Sequence, residues 1–172
     1  MDVLKVIYER KSVRKYLSKP VEEEKLNKIL EAARLSPSAK NMQEWKFIIV
    51  KNKDIIKKLV PACKNQTFIA DAPIVIVACG TNTDYTMTCG HKAYIIDVSI
   101  AFSYMILEAY NQGLGTCWLG AFYQDEVKKI LNIPDNINVV AITPLGYPDP
   151  DEIFTKTQRK KLEQIICIDS YC

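Results

Sequence analysis

Apolar residues recur along the chain with two different periods, and the periods mark out its elements. Val3, Leu4, Val6 and Ile7 fall on one face of a short helix that Asp2 can cap and that ends near Glu9. Pro20 opens a second amphipathic stretch. Glu22, Glu23 and Glu24 occupy its first turn, where the helix dipole favours acidic side chains, and Leu26, Ile29, Leu30 and Ala33 form its buried stripe. The pattern breaks at Ser36-Pro37. Residues 45–50 are β-rich, and Asn52 caps a short helix over 53–60 that Pro61 stops. Residues 74–79 are an unbroken apolar run, as in a central strand covered on both faces. Residues 91–112 give the longest helical pattern, apolar on most sides and so destined for the core or a subunit interface. Asp97 inside it predicts a buried carboxylate bonded to backbone or to a tyrosine, in preference to a catalytic group. Gly113 and Gly115 end this helix. A short strand over 116–119, a small helix over 125–131 and a third long strand over 139–145 follow; Pro144 predicts an edge, a bulge or a strand end. The tail from Arg159 is basic first, then carries Leu162, Ile165, Ile166 and Ile168, which must dock on the chain's own core or on a partner. There are too few strands for a right-handed βαβ series, so the expected class is α+β with a mixed sheet.

Composition narrows the function classes. The 172 residues are expected to form one domain, 1–172, with 48% apolar and 25% charged residues, the balance of a soluble globular protein. The net charge is +3 and no block of five like charges occurs, which argues against nucleic acid as a partner. The N-terminus has no signal-peptide pattern, and no window offers about 18 uncharged apolar residues, so the expectation is a cytoplasmic protein with no membrane span. Cys63, Cys79, Cys89, Cys117, Cys167 and Cys172 form no C-x-x-C pair, and His91 is the single histidine. No zinc or other metal site is therefore expected, and the thiols are read as reduced, small core residues.

Three stretches carry candidate chemistry. In Arg10-Lys11-Ser12-Val13-Arg14, an extended backbone points Arg10, Ser12 and Arg14 one way and Lys11 and Val13 the other. Two guanidinium forks and a hydroxyl suit a phosphate monoester; the bland reading is a solvated basic turn. In residues 37–43, Ser38, Asn41 and Gln43 offer donors and acceptors on a loop, against ordinary turn chemistry. In residues 113–122, Gly113, Gly115 and Gly120 allow close approach to a flat ligand, against a helix C-cap followed by a tightly packed strand. The spacing is not G-x-G-x-x-G, and a strand follows it, so a Rossmann reading fails. With no nucleophile elbow and no carboxylate pair, catalytic residues are not expected. An enzyme of this kind would rely on a cofactor for the reacting atom.

Taken together, these stretches resemble the nitroreductase family of FMN-dependent oxidoreductases, in its short form. The matching pieces are E-R-K-S-V-R-K-Y, L-S-P-S-A-K-N-M-Q-E-W-K-F-I-I-V, A-D-A-P-I-V-I-V, the D-x-x-I-A helix with G-L-G-T-C-W-L-G-A-F, and R-K-K-L-E-Q-I, in the family's order and over nearly the whole chain. The resemblance implies an α+β fold with a mixed, mostly antiparallel sheet flanked by helices, in an intertwined homodimer. Two FMN molecules would lie at the subunit interface, and the tail from about 159 would dock on the partner. It implies that Arg10, Lys11, Ser12 and Arg14 hold the phosphate end of FMN, with Arg159 returning to it. Pro37, Ser38, Ala39 and Asn41 would come from the partner chain to the flavin ring. Cys117, Trp118, Leu119 and Gly120 would pass the ring, with a backbone N–H near Gly120 directed at N5; Asn65 or Gln66 would meet the pyrimidine edge or ribityl chain. The implied activity takes a hydride from NADH or NADPH and passes it through the flavin to a nitroaromatic, quinone or similar acceptor in ping-pong order. The alternative is a flavin-binding redox sensor or storage protein without efficient turnover.

The chain departs from the family pattern at three places. Lys11 stands where a second Arg is common, Glu44 stands where a Pro often precedes the Trp, and Gly120-Ala121 stand where some longer members carry a Glu. Lys still binds phosphate as a point charge.

Overall fold

The computed structural model describes residues 3–154 and 157–171. Its centre is β2 (Ile74–Gly80), whose seven residues are all buried, as the unbroken apolar run predicts. β2 pairs antiparallel on one side with β1 (Trp45–Val50) and on the other with β4 (Asn138–Gly146). A two-residue strand, β3 (Gly115–Thr116), adds to β4, giving the order β1-β2-β4-β3. All named strand pairs are antiparallel; the parallel element is an isolated bridge between Ser12 and Thr116.

The strand period sorts the core into two layers. Ile74, Ile76 and Ala78 point to one face, where α2 (Glu23–Arg34) and α4 (Ala93–Asn111) cover them with Leu26, Ile29, Phe102 and Met105. Val75, Val77 and Cys79 point to the other, under Ile56 and Leu59 of α3 (Lys53–Ala62) and Val127 of α5 (Gln124–Leu131). Helix α1 (Val3–Glu9) contributes no buried residue; its predicted cap, Asp2, lies outside the described residues.

Several expectations are corrected. Helix α2 begins at Glu23, with Glu22 as its N-cap. Helix α3 is capped by Asn52 Oδ1, which accepts from the Asp54 and Ile55 N–H groups, but it runs through Pro61 to Ala62. A proline in the last turn forfeits one intrahelical bond, and the Cys63 N–H closes the end on the Leu59 and Val60 carbonyls. Pro144 sits inside β4 opposite Val75, and the β2–β4 register shift falls elsewhere, at Ala78/Cys79. Its cost falls on the β3 side, where it has no N–H for the ladder. The Cys117 N–H bonds the Thr143 hydroxyl instead, and pairing resumes as a bridge at Leu119 and Ile142. Helix α4 is long and apolar enough by composition to cross a membrane, although it carries Asp97 and Glu108; here it packs on the sheet and α2.

The cysteines divide by position. Cys63, Cys79 and Cys117 are buried free thiols; Cys89 is an exposed free thiol, because its loop lies outside both layers. Cys167 is disulfide-bonded, against the expectation of reduced thiols. Burial pushes the Cys63 and Cys79 thiols from 9.0 up to about 11, and Lys128 partly opposes the rise at Cys79. Between these values the unfolded chain has released protons that the folded chain keeps, so stability falls as pH rises from 9 toward 11. Urea unfolding at pH 8 and pH 10.5 measures this; Cys63→Ala with Cys79→Ala is expected to flatten that part of the pH dependence.

Candidate functional site

The chain leaves α1 at Glu9 and runs extended beside β3. The Val13 N–H donates to the Thr116 carbonyl (2.8 Å), and the Val13 side chain is 4% exposed. The Tyr16 hydroxyl donates to the Val13 carbonyl at 2.6 Å, and burial, then the nearby Cys117 and Glu152, push its pKa up. This close approach explains Gly115. A Cβ there would stand 2.6 Å from Val13 Cγ2 and 2.7 Å from Val13 Cβ. Gly115→Ala is expected to cost about 1–3 kcal/mol in urea unfolding, because the basic segment must move off β3. Gly113 has φ +75° and follows Gln112, the C-cap of α4: its N–H bonds the Tyr110 carbonyl, and the Leu114 N–H bonds that of Ala109.

A second segment lies across the basic one. Pro148 bridges Tyr16, the Asp149 N–H donates to the Lys15 carbonyl, and Asp149 pairs with Lys15 Nζ at 3.1 Å. Hydrogen bonds from the Asp151 N–H, then from Lys15, hold the Asp149 carboxyl below its usual value. Glu152 follows, its Oε1 accepting from the Arg14 N–H (2.8 Å) and its Oε2 from the Lys15 N–H (3.3 Å). Phe154 places its ring under Lys11 Nζ, 4.6 Å from the centroid.

Between these segments, α1, α4 and the start of the tail is a cleft of about 990 Å³. Its lining includes Arg10, Lys11, Ser12, Arg14, Glu152, Phe154 and Arg159, so five predicted positions come together, one of them from the far end of the chain. Lys11 shares this cleft instead of pointing away. Among the described residues, no carboxylate pairs with the guanidinium of Arg10, Arg14 or Arg159. Cys117 adjoins the cluster. Burial raises its thiol pKa, Arg14, the Ser12 hydrogen bond and Arg10 oppose the rise, and Glu152 adds to it.

The other predicted positions stand outside this cleft. Pro37 and Asn41 are exposed, and Ser38 and Ala39 are half-buried, on a loop with a short 3-10 turn at Ala39–Asn41. Lys40, Asn41 and Gln43 have φ of 53°, 55° and 54°, a left-handed conformation costly for side-chain-bearing residues. Two bonds hold it. The Ala39 N–H donates to Asp97 Oδ1 (3.0 Å), and the Gln43 N–H donates to Ser38 Oγ (3.1 Å). Asp97 is 4% exposed, and its partner is the backbone, as its place in the apolar helix predicts. Glu44 ties the loop to the next one, its carbonyl accepting from the Thr81 N–H and its Oε1 from Asn82 Nδ2.

In the third stretch, Leu119 turns into the core and both its backbone groups bond Ile142. Trp118 is 39% exposed and meets Phe102 edge-on, with ring centroids 4.8 Å apart. Gly120 is exposed, a Cβ there would meet open space, and its N–H has no acceptor among the described residues. Gln66 Nε2 donates to the Ala121 carbonyl (3.1 Å), holding that segment, while Asn65 is exposed beside it. Sequence reasoning missed Glu152 and Phe154; the one signal was their place shortly after the last strand.

Comparison with known proteins gives a single answer. A family model for the nitroreductase family matches residues 7–68 and 61–147. A relative from Methanothermobacter thermautotrophicus, provisionally named an NADH dehydrogenase/NAD(P)H nitroreductase, is 33% identical over 167 residues, covering 89% of this chain and 86% of the relative. The crystal structure of a nitroreductase family protein from Clostridium difficile 630 is 31% identical, with a TM-score of 0.88 over 99% of this chain and 100% of that one. An FMN-dependent nitroreductase from Clostridium difficile R20291 is 29% identical, with a TM-score of 0.83 over 98% of this chain and 99% of that one. Fold, order of elements and sequence agree over nearly the whole length: the chain belongs to the nitroreductase family.

Proposed function

We propose that this chain is an FMN-dependent oxidoreductase that draws on NADH or NADPH and reduces small acceptors such as nitroaromatics or quinones. The observation that carries the cofactor reading is the cleft where Arg10, Lys11, Ser12, Arg14 and Arg159 meet with, among the described residues, no carboxylate paired with the three guanidiniums. Unpaired guanidiniums beside a hydroxyl fit a phosphate dianion, and each charge-assisted hydrogen bond contributes about 1.5–3 kcal/mol. Hydride transfer from the nicotinamide and onward to the acceptor is the chemistry FMN supplies when bound.

The chain's own residues bind and orient. Arg10, Arg14, Arg159 and Lys11 hold the phosphate end, and Ser12 donates to it. The open space at Gly120 and its unused N–H suit the edge of a flat ring, and Trp118 flanks it. Nothing in this arrangement requires a general base, and donor and acceptor take turns at one site in ping-pong order. The loop with Ser38, Ala39 and Asn41 serves the partner's site in a homodimer. The exposed apolar residues Val3, Ile7 and Tyr8 of α1 and Ile95, Ile96 and Tyr104 of α4 offer a face for that pairing.

The test is a titration of purified chain with FMN, followed by NADH or NADPH under nitrogen. Expected are a flavin absorbance that co-purifies or is restored, a raised melting temperature, and bleaching by at least one donor. FMN that leaves the melting temperature unchanged sinks the cofactor reading; bound FMN that neither donor bleaches favours the redox-sensor alternative. Light scattering is expected to give a dimer at micromolar concentration, and a monomer that binds FMN tightly contradicts the shared-site reading.

A further inference from the structure

Glu152 is the only acidic side chain among the described residues lining the basic cleft. Its carboxylate is not spent on a guanidinium. Each oxygen takes one backbone N–H of the basic segment instead, Oε1 that of Arg14 and Oε2 that of Lys15. The segment carrying it is anchored on both sides, by the Asp149–Lys15 contacts before it and by Phe154 under Lys11 after it. Its negative charge also reaches the neighbouring groups, raising the pKa values of Cys117 and Tyr16.

We infer that Glu152 is a positioning residue that sets how tightly the basic cleft holds a phosphate dianion. Its two hydrogen bonds fix the backbone from which Arg14 projects, and its charge opposes that of the phosphate. The two effects have opposite signs, so they separate by substitution. Glutamine keeps an oxygen for the shorter bond and removes the charge; alanine removes both. This inference rests on the cofactor reading above and adds to it a residue that lowers affinity while shaping the site.

The experiment measures dissociation constants of FMN and of riboflavin, which lacks the phosphate, for wild type, Glu152→Gln and Glu152→Ala, with melting temperatures to establish folding. Glu152→Gln is expected to bind FMN roughly three- to tenfold more tightly than wild type and to leave riboflavin binding unchanged. Glu152→Ala is expected to bind FMN about tenfold more weakly than Glu152→Gln. Unchanged or weaker FMN binding by Glu152→Gln, an equal gain with riboflavin, or equal affinities of the two variants overturns the inference. A wild-type chain that takes up no FMN overturns the cofactor reading instead, which keeps the two failures apart.

Discussion

Replacing Arg10 and Arg14 together by alanine is expected to weaken FMN binding by about a hundredfold or more while leaving the melting temperature of the FMN-free chain within a few degrees. The two guanidiniums line one cleft with Arg159, and among the described residues neither forms an ion pair. Removing them leaves no orphaned carboxylate behind, so the fold has little to lose. A phosphate loses two charge-assisted partners at about 1.5–3 kcal/mol each, and 1.4 kcal/mol is a factor of ten. Arg14 contributes through its side chain, because its backbone N–H already serves Glu152. Arg14→Lys tests the geometry: it keeps the charge but not the fork, and is expected to fall between wild type and Arg14→Ala. Equal FMN affinity in the double variant and wild type would move the phosphate away from this cleft.

Phe102→Ala is expected to cost about 3–5 kcal/mol of stability, a large share of the roughly 5–15 kcal/mol of a typical domain. Phe102 has 0% exposure and stands on α4 where that helix meets the sheet. Its ring takes the Trp118 indole edge-on, at an interplanar angle of 88°. Such a pair contributes about 0.5–1.5 kcal/mol beyond burial. The substitution therefore loosens the segment carrying Gly120 as well as the core. Urea unfolding reads the first effect, and a red shift of tryptophan emission reads the second. Phe102→Leu fills most of the cavity and is expected to recover much of the stability but not the indole contact. If Phe102→Ala unfolds at the wild-type urea midpoint, the packing account fails.

The strand and helix periods revealed β2, β4, α2 and α4, because burial on one face or both leaves a mark in the order of side chains. Asp97 was legible for the same reason: a carboxylate inside an apolar helix must find a donor, and it finds the Ala39 N–H. The basic segment was legible as charge, but its neighbours were not. Arg159 joins it from the other end of the chain, and the Glu152 contacts bridge sequence separations of 138 and 137 residues, which no local pattern encodes. Pro61 and Pro144 misled because a proline reports only a missing N–H and a fixed φ. Whether that ends an element depends on what else can close the gap. At Pro61 the helix runs on to Ala62 and the Cys63 N–H closes its end; at Pro144 the strand continues and the Thr143 hydroxyl accepts the Cys117 N–H across the break.

The break opposite Pro144 also bears on self-association. β3, at the outer edge of the sheet, is two residues long, and the Val13 N–H already bonds the Thr116 carbonyl there. Beyond it the Cys117 N–H is turned inward to Thr143. Among the described residues, an extended segment of another molecule finds only a short, partly occupied run of donors and acceptors on this side to copy, which disfavours templated strand addition, the first step toward cross-β aggregates. At the opposite edge, β1 offers six residues, and its guard is of another kind: the exposed cation of Lys46, second residue of an otherwise apolar strand.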